Sequence, residues 1–199
     1  MSDHVKHDNS HLKDHQNNYS SDLRVNRIRS AIKDYPDFPK PGILFRDMFP
    51  VLADPDRMKD LVGVLTDHVK SLPQKPSAIV GLEARGFILG PLMAYELSLP
   101  FIPIRKKGKL PPPFESRTYK LEYGSDTFQV SKNALKRGSK VIVVDDLLAT
   151  GGSLATAVEL LESVGVSVTE AVVLIELLDL KGRQVLREKS VGVYSVVTY

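Results

Sequence analysis

The sequence predicts an α/β protein in which a mostly parallel sheet is flanked by helices. Three observations predict it. From residue 77 onward, short β-branched runs alternate with helical stretches, the pattern of strand–helix–strand units. The clearest run, KVIVVDD at 140–146, has four consecutive β-branched residues and ends in two carboxylates. A glycine pair follows at the start of a helix, and ligands of parallel α/β sheets sit beyond such strand ends.

Residues 1–20 stand apart. MSDHVKHDNSHLKDHQNNYS holds His4, His7, His11 and His15, four of the five histidines. Helical spacing would line them on one face as metal ligands. Asp, Asn and Ser dominate and no apolar stripe is present, so a disordered polar tail is expected, followed by one domain over 21–199. Leu23, Ile28 and Ile32 then predict a short amphipathic helix that Pro36 ends. YPDFPKPGILFRDMFPVL (35–52) has four prolines between Pro36 and Pro50 and predicts an ordered loop. Asp54 and Pro55 supply a cap and a first-turn proline for a helix whose buried face is Leu61, Val62, Leu65 and Val69.

The alternating part follows. SAIVG (77–81) predicts a buried strand, Gly86 to Leu97 a helix, and PFIPI (100–104) a second strand. Residues 105–130 break the rhythm. With Pro111, Pro112 and Pro113 and little periodicity, they predict a long mobile loop holding at most a small hairpin, and a loop that long is usually functional. After the strand at 140–146, Gly152 to Val164 predicts a helix with Leu154, Val158 and Leu161 inward. SVTEAVVLIEL (167–177) and VGVYSVVTY (191–199) predict the last strands.

Composition narrows the function classes. The 199 residues suffice for a sizeable core, and 42% hydrophobic with 26% charged residues fits a soluble globular chain. No cysteine is present, which excludes disulfides and thiolate catalysis. The net charge of +3 is too small to argue for a nucleic-acid partner, and no apolar run of membrane-spanning length occurs. A cytoplasmic protein with neither nucleic-acid nor membrane partners is expected.

The chemistry concentrates in VIVVDDLLATGGS (141–153). Thr150, Gly151, Gly152 and Ser153 open a helix, where free N–H groups and the positive dipole end face an anion. Asp145 and Asp146 would repel that anion, so they must face hydroxyls or a metal. A phosphorylated sugar satisfies both halves. An ordinary strand-to-helix turn capped by Ser153 is the alternative that a glycine pair alone would leave standing.

This string resembles the phosphoribosyl-pyrophosphate-binding signature of the type I phosphoribosyltransferases. PDFPKPGILFRDMFPVL (36–52), GLEARGF (81–87), IRKKGKLP (104–111), YKLEYG (119–124) and LIELLDLKGR (174–183) are similar, in order and spacing, to the adenine phosphoribosyltransferase family. The resemblance covers about residues 22–199. It implies the type I phosphoribosyltransferase fold, with a small N-terminal base-binding hood and a flexible catalytic loop over Lys109 to Tyr123. It implies Asp145 and Asp146 on the ribose hydroxyls, with Ala149, Thr150, Gly151, Gly152 and Ser153 on the 5-phosphate. Glu83, Ala84 and Arg85 would form the pyrophosphate loop, strained at the Glu83–Ala84 bond. Arg105, Lys106 and Lys109, from a basic run that includes Lys107, would form a clamp that reaches the neighbouring subunit of a homodimer. Glu122 would be the general acid–base, with Arg85 and Lys109 assisting. Leu44, Phe45 and Arg46 would hold adenine, with the Leu44 carbonyl and Arg46 N–H on the base edge, Phe45 on one ring face and Leu177 on the other. Mg2+ would bridge diphosphate and ribose oxygens with no certain direct protein ligand. The reaction implied is adenine plus phosphoribosyl pyrophosphate to AMP plus pyrophosphate, a purine salvage step. Transfer to another base, or a non-catalytic regulator binding the same pyrophosphate, are the alternatives. The regulator is disfavoured by the absence of a helix-turn-helix segment and of a large basic face.

Overall fold

The computed structural model describes residues 23–120 and 125–199. The expected polar tail, with His4, His7, His11 and His15, lies outside the described residues, as does Glu122. The described residues form two compact units, divided between Val64 and Leu65.

In the first unit a helix, α1, covers residues 23–31 and stops before Pro36 because a strand intervenes. That strand, β1 (Lys33–Pro36), pairs antiparallel with β2 (Leu44–Asp47), with Asp34 opposite Arg46 and Tyr35 opposite Phe45. The proline-rich stretch is therefore a hairpin and not the loop expected. Its turn is closed by its own groups: Gly42 N–H donates to the Asp37 carboxylate at 2.7 Å and Phe38 N–H to the Ile43 carbonyl at 3.2 Å. A short helix, α2 (Phe49–Leu52), uses Pro50 in its first turn, where no N–H is needed. Helix α3 (Pro55–Ser71) starts as expected. Asp54 Oδ1 accepts the N–H groups of Asp56 at 3.0 Å and Arg57 at 3.3 Å. Leu61, Leu65 and Val69 are buried, but Val62 is only part-buried and Val64 takes its place, closer to the 3.6-residue period.

The second unit is a seven-stranded sheet. Its elements are β3 (Ala78–Leu82), α4 (Gly86–Leu97), β4 (Phe101–Lys106), β5 (Phe114–Lys120), β6 (Ser125–Ser131), β7 (Lys140–Leu148), α5 (Gly152–Ser163), β8 (Ser167–Glu176), α6 (Gly182–Arg187) and β9 (Gly192–Thr198). The strand order is β5-β6-β4-β3-β7-β8-β9, and β3, β4, β7, β8 and β9 run parallel. Two-residue alternation sends Ala78, Val80, Val141 and Val143 into one core with Leu154, Val158 and Leu161 of α5. Ile79, Ile142 and Val144 are buried on the opposite face, toward α4. Each such side chain stabilises the fold by about 1.5–3 kcal/mol when fully buried.

Residues 105–130 are not a long loop. β5 and β6 pair antiparallel over seven residues each, and β6 joins the sheet through Arg105 opposite Gln129. Phe114, Thr118, Tyr119, Thr127, Phe128 and Val130 supply the aromatic and β-branched residues that favour strands. The prolines at 111–113 lie in the connection before β5.

Candidate active site

The topology fixes where a ligand can sit. The β3–α4–β4 unit runs one way along the sheet and the β7–α5–β8 unit runs the other. Right-handed crossovers then place α4 and α5 on opposite faces. The reversal lies between β3 and β7, and beyond their C-terminal ends a crevice must open. A cleft of about 210 Å³ occupies this position, lined by Arg85 from the β3 side and by Asp145 to Leu154 from the β7 side.

The turn after β7 has the geometry of an anion cradle. Gly151 is the residue before α5 and has φ 85°, a left-handed conformation that glycine adopts without strain. Ala155 N–H donates to Gly151 O at 2.9 Å, so the N–H groups before it in the first turn have no acceptor within the helix. Gly152 is exposed, and a Cβ built on it would meet nothing within 4 Å. The turn is backed by Gly182, where a Cβ would fall 2.2 Å from the Ala149 carbonyl oxygen and 2.9 Å from Gly151 N.

The two carboxylates differ. Asp146 is buried, and Arg85 donates to its Oδ2. Asp145 accepts the N–H of Asp146 at 3.0 Å, but burial and the charge of Asp146 push its carboxyl up to about 8. Burial opposes the charge on Arg85, yet the Asp146 hydrogen bond and both carboxylates hold its guanidinium more firmly protonated than usual. Arg85, expected on pyrophosphate, thus rests on Asp146, expected on ribose.

Glu83 is also engaged. Its Oε2 accepts Arg105 Nε at 3.1 Å and Lys106 N–H at 2.8 Å. Burial alone would raise its carboxyl, but these donors outweigh it and hold it below the usual range. The Glu83–Ala84 peptide bond is cis. Arg105 also lies over the Phe87 ring, 5.7 Å from its centroid. Lys106 pairs with Asp126 at 3.0 Å, and Lys109 N–H donates to Lys106 O at 3.2 Å. The carboxylate of Glu83 therefore binds the basic run itself.

Sequence reasoning missed the hairpin's part. Tyr119 of β5 lies beside Ser153 in the turn and Asp126 of β6, and burial is the main cause of its raised phenol. The aromatic and β-branched residues Phe114, Thr118 and Tyr119 were the available signal. It also missed Glu176 and Arg183, whose ion pair flanks Leu177. Leu177 is half-buried, and its N–H donates to Leu148 O at 2.9 Å. Leu44, Phe45 and Arg46 all lie on β2 in the first unit. Arg46 pairs with Asp34, and Phe45 meets Phe38 edge-on at 5.2 Å between centroids.

An open helix start beside an acidic pair, at the switch point of a parallel sheet, is the arrangement expected of an enzyme that acts on phosphorylated sugars. The family model described as phosphoribosyl transferase domain matches residues 51–198. The adenine phosphoribosyltransferase of Nostoc punctiforme is 44% identical over 172 residues, 86% of this chain and 99% of that protein. The adenine phosphoribosyltransferase of Rattus norvegicus is 46% identical over 180 residues, 90% of this chain and 99% of that protein. The crystal structure of the Saccharomyces cerevisiae adenine phosphoribosyltransferase, complexed with an imino-altritol bisphosphate and adenine, superposes with a TM-score of 0.85 at 40% identity, covering 88% of this chain and 99% of that one. The chain belongs to the adenine phosphoribosyltransferase family.

Proposed function

We propose that this chain transfers the phosphoribosyl group of phosphoribosyl pyrophosphate to N9 of adenine, releasing AMP and pyrophosphate. The observation that carries the proposal is the cleft between β3 and β7, with its open helix start and adjacent acidic pair. The turn from Ala149 to Ser153 takes the 5-phosphate on backbone N–H groups and the hydroxyls of Thr150 and Ser153. Asp145 and Asp146 accept the ribose hydroxyls. Arg85 moves from Asp146 to the diphosphate, which offers its donor fork a charged partner and frees Asp146 for the sugar. Glu83 holds Arg105 and Lys106 in place for the same group, with Lys109 beside them, and Ala84 contributes main chain. Attack at C1′ proceeds with inversion through an oxocarbenium-like state as the C1′–O bond to pyrophosphate breaks. Glu122 manages the N9 proton.

Magnesium completes the proposal. Two adjacent carboxylates, one of them pushed up to about 8 by burial and by the charge of the other, form an acidic site that suits a divalent ion held mainly by ligand oxygens. Among the described residues no cluster of three or more candidate ligands occurs, so ligand and water oxygens would fill most of its coordination shell. When bound it neutralises charge on the departing diphosphate. A homodimer, in which the basic run serves the neighbouring subunit, and a cytoplasmic location belong to the same proposal. Both rest on the resemblance of the chain to its family. No helix of the described residues is long and apolar enough to cross a membrane.

For base choice, the Leu44 carbonyl and Arg46 N–H match the N6 amine and N1 of adenine, while hypoxanthine reverses both edges. A site built this way rejects the wrong base by about 10⁴ or more. The test is kcat/KM for adenine and hypoxanthine in one preparation, with AMP and pyrophosphate measured as products. Comparable values would remove the adenine assignment and leave the phosphoribosyl transfer intact.

A further inference from the structure

The loop after β8 carries an ion pair that the reaction described above does not use. Glu176, the last residue of β8, is 2% exposed. Arg183 donates to both of its carboxylate oxygens, through Nε at 2.8 Å and through a terminal nitrogen. Arg183 also donates to the Val193 carbonyl at 2.7 Å, and Ser195 Oγ donates to Glu176 at 2.6 Å. The carboxylate therefore has a full set of partners, and together they tie the start of α6 to the end of β8 and the first half of β9.

The neighbours of this pair are what matter. Leu177 follows Glu176 directly. Gly182 precedes Arg183, and its α-carbon lies so close to the turn after β7 that any side chain there would collide with Ala149 O and Gly151 N. The six residues between Glu176 and Arg183 thus span the distance from the residue expected on the base to the residue that backs the phosphate turn. The ion pair closes the two ends of that loop.

We propose that Glu176 and Arg183 are positioning residues that press Gly182 against the Ala149–Gly151 turn and so hold the 5-phosphate cradle in shape. The proposal rests on the reading of that turn as the 5-phosphate site. It acts through geometry, because neither side chain lines the cleft.

The experiment uses the full chain and two ligands that report on different parts of the cleft, ribose 5-phosphate for the turn and inorganic pyrophosphate with magnesium for the β3 side. Calorimetric Kd values are measured for wild type, Arg183→Lys, Arg183→Met, Glu176→Gln and Thr150→Val. Arg183→Met and Glu176→Gln are expected to weaken ribose 5-phosphate roughly ten- to a hundredfold, the scale of a misplaced site, while pyrophosphate stays within about twofold. Arg183→Lys, which keeps the charge but not the fork, is expected to recover part of the loss. Circular dichroism selects the variants that are folded at the assay temperature. Glu176→Gln keeps the shape and acceptor oxygen of the pair, so it decides the question if Arg183→Met does not fold. If the folded variants lose both ligands equally, or neither, the pair is only structural and the proposal fails. If Thr150→Val also leaves ribose 5-phosphate binding unchanged, the reading of the turn falls as well. If Thr150→Val weakens it and the pair variants do not, the positioning role alone is overturned.

Discussion

Replacing Gly152 with alanine separates what the fold needs from what the ligand needs. Gly152 opens α5, its φ is not in the left-handed region, and its Cβ position is open space. The added methyl therefore clashes with nothing, and alanine's better helix propensity favours the folded state by up to about 1 kcal/mol. The same open space is where the 5-phosphate must approach the N–H groups of the turn. A methyl there pushes the anion away from at least one charge-assisted bond, worth about 1.5–3 kcal/mol. That converts to a loss of about 10- to 150-fold in phosphoribosyl pyrophosphate affinity. The assay pairs urea denaturation of the ligand-free protein with KM for phosphoribosyl pyrophosphate at saturating adenine. Unchanged or increased stability with a raised KM is the expected result. An alanine variant with wild-type KM would show that the phosphate does not pass over Gly152, and the reading of the cradle would be wrong.

Two further outcomes follow from the same geometry. Gly86→Ala would place a Cβ 2.4 Å from the Val144 carbonyl oxygen. An ordinary C···O contact is about 3.3 Å, so the start of α4 must retreat by roughly 0.9 Å. Overpacking of that size costs about 1–3 kcal/mol of stability and carries Arg85, the preceding residue, with it. Thermal denaturation and pyrophosphate affinity should both fall, and a variant unchanged in both would refute the close approach. Asp145→Asn tests the acidic pair. Asp145, pushed up to about 8 by burial and by Asp146, keeps a proton that the unfolded chain loses near pH 4. The folded state therefore binds more protons between about pH 4 and 8, and the stability of the ligand-free wild type falls as pH rises through that window. The melting temperature of the variant should gain on wild type from pH 5 to 9, and a pH-independent difference would show that Asp145 titrates normally.

Much of the fold was legible in the sequence because its signals are local. The strand at 140–146 announces itself through β-branched residues, and it runs on to Leu148, so the acidic pair lies within it. The helices at 86–97 and 152–163 begin at glycines, and their limits fall within one residue of those expected. The hairpin of β5 and β6 was legible only as a small hairpin within an expected loop, not as two seven-residue strands that extend the sheet. Its strands gain stability from pairing with each other and with β4, and three prolines before it gave a stronger local signal for a loop.

By itself the sequence determined the parallel sheet, the glycine-rich helix start and the two adjacent carboxylates of the central strand, because each depends on residues within a few positions of one another. Only the tertiary structure decided which charges meet. Arg85 reaches Asp146 across 61 positions of sequence, and Glu83 reaches Arg105 across 22. It also decided that position 182 must be glycine, since the atoms that exclude a side chain there belong to a turn some thirty residues earlier in the chain. Charge, spacing and composition are written along the chain, but the field around a carboxylate and the room beside an α-carbon are set by neighbours that only folding brings together.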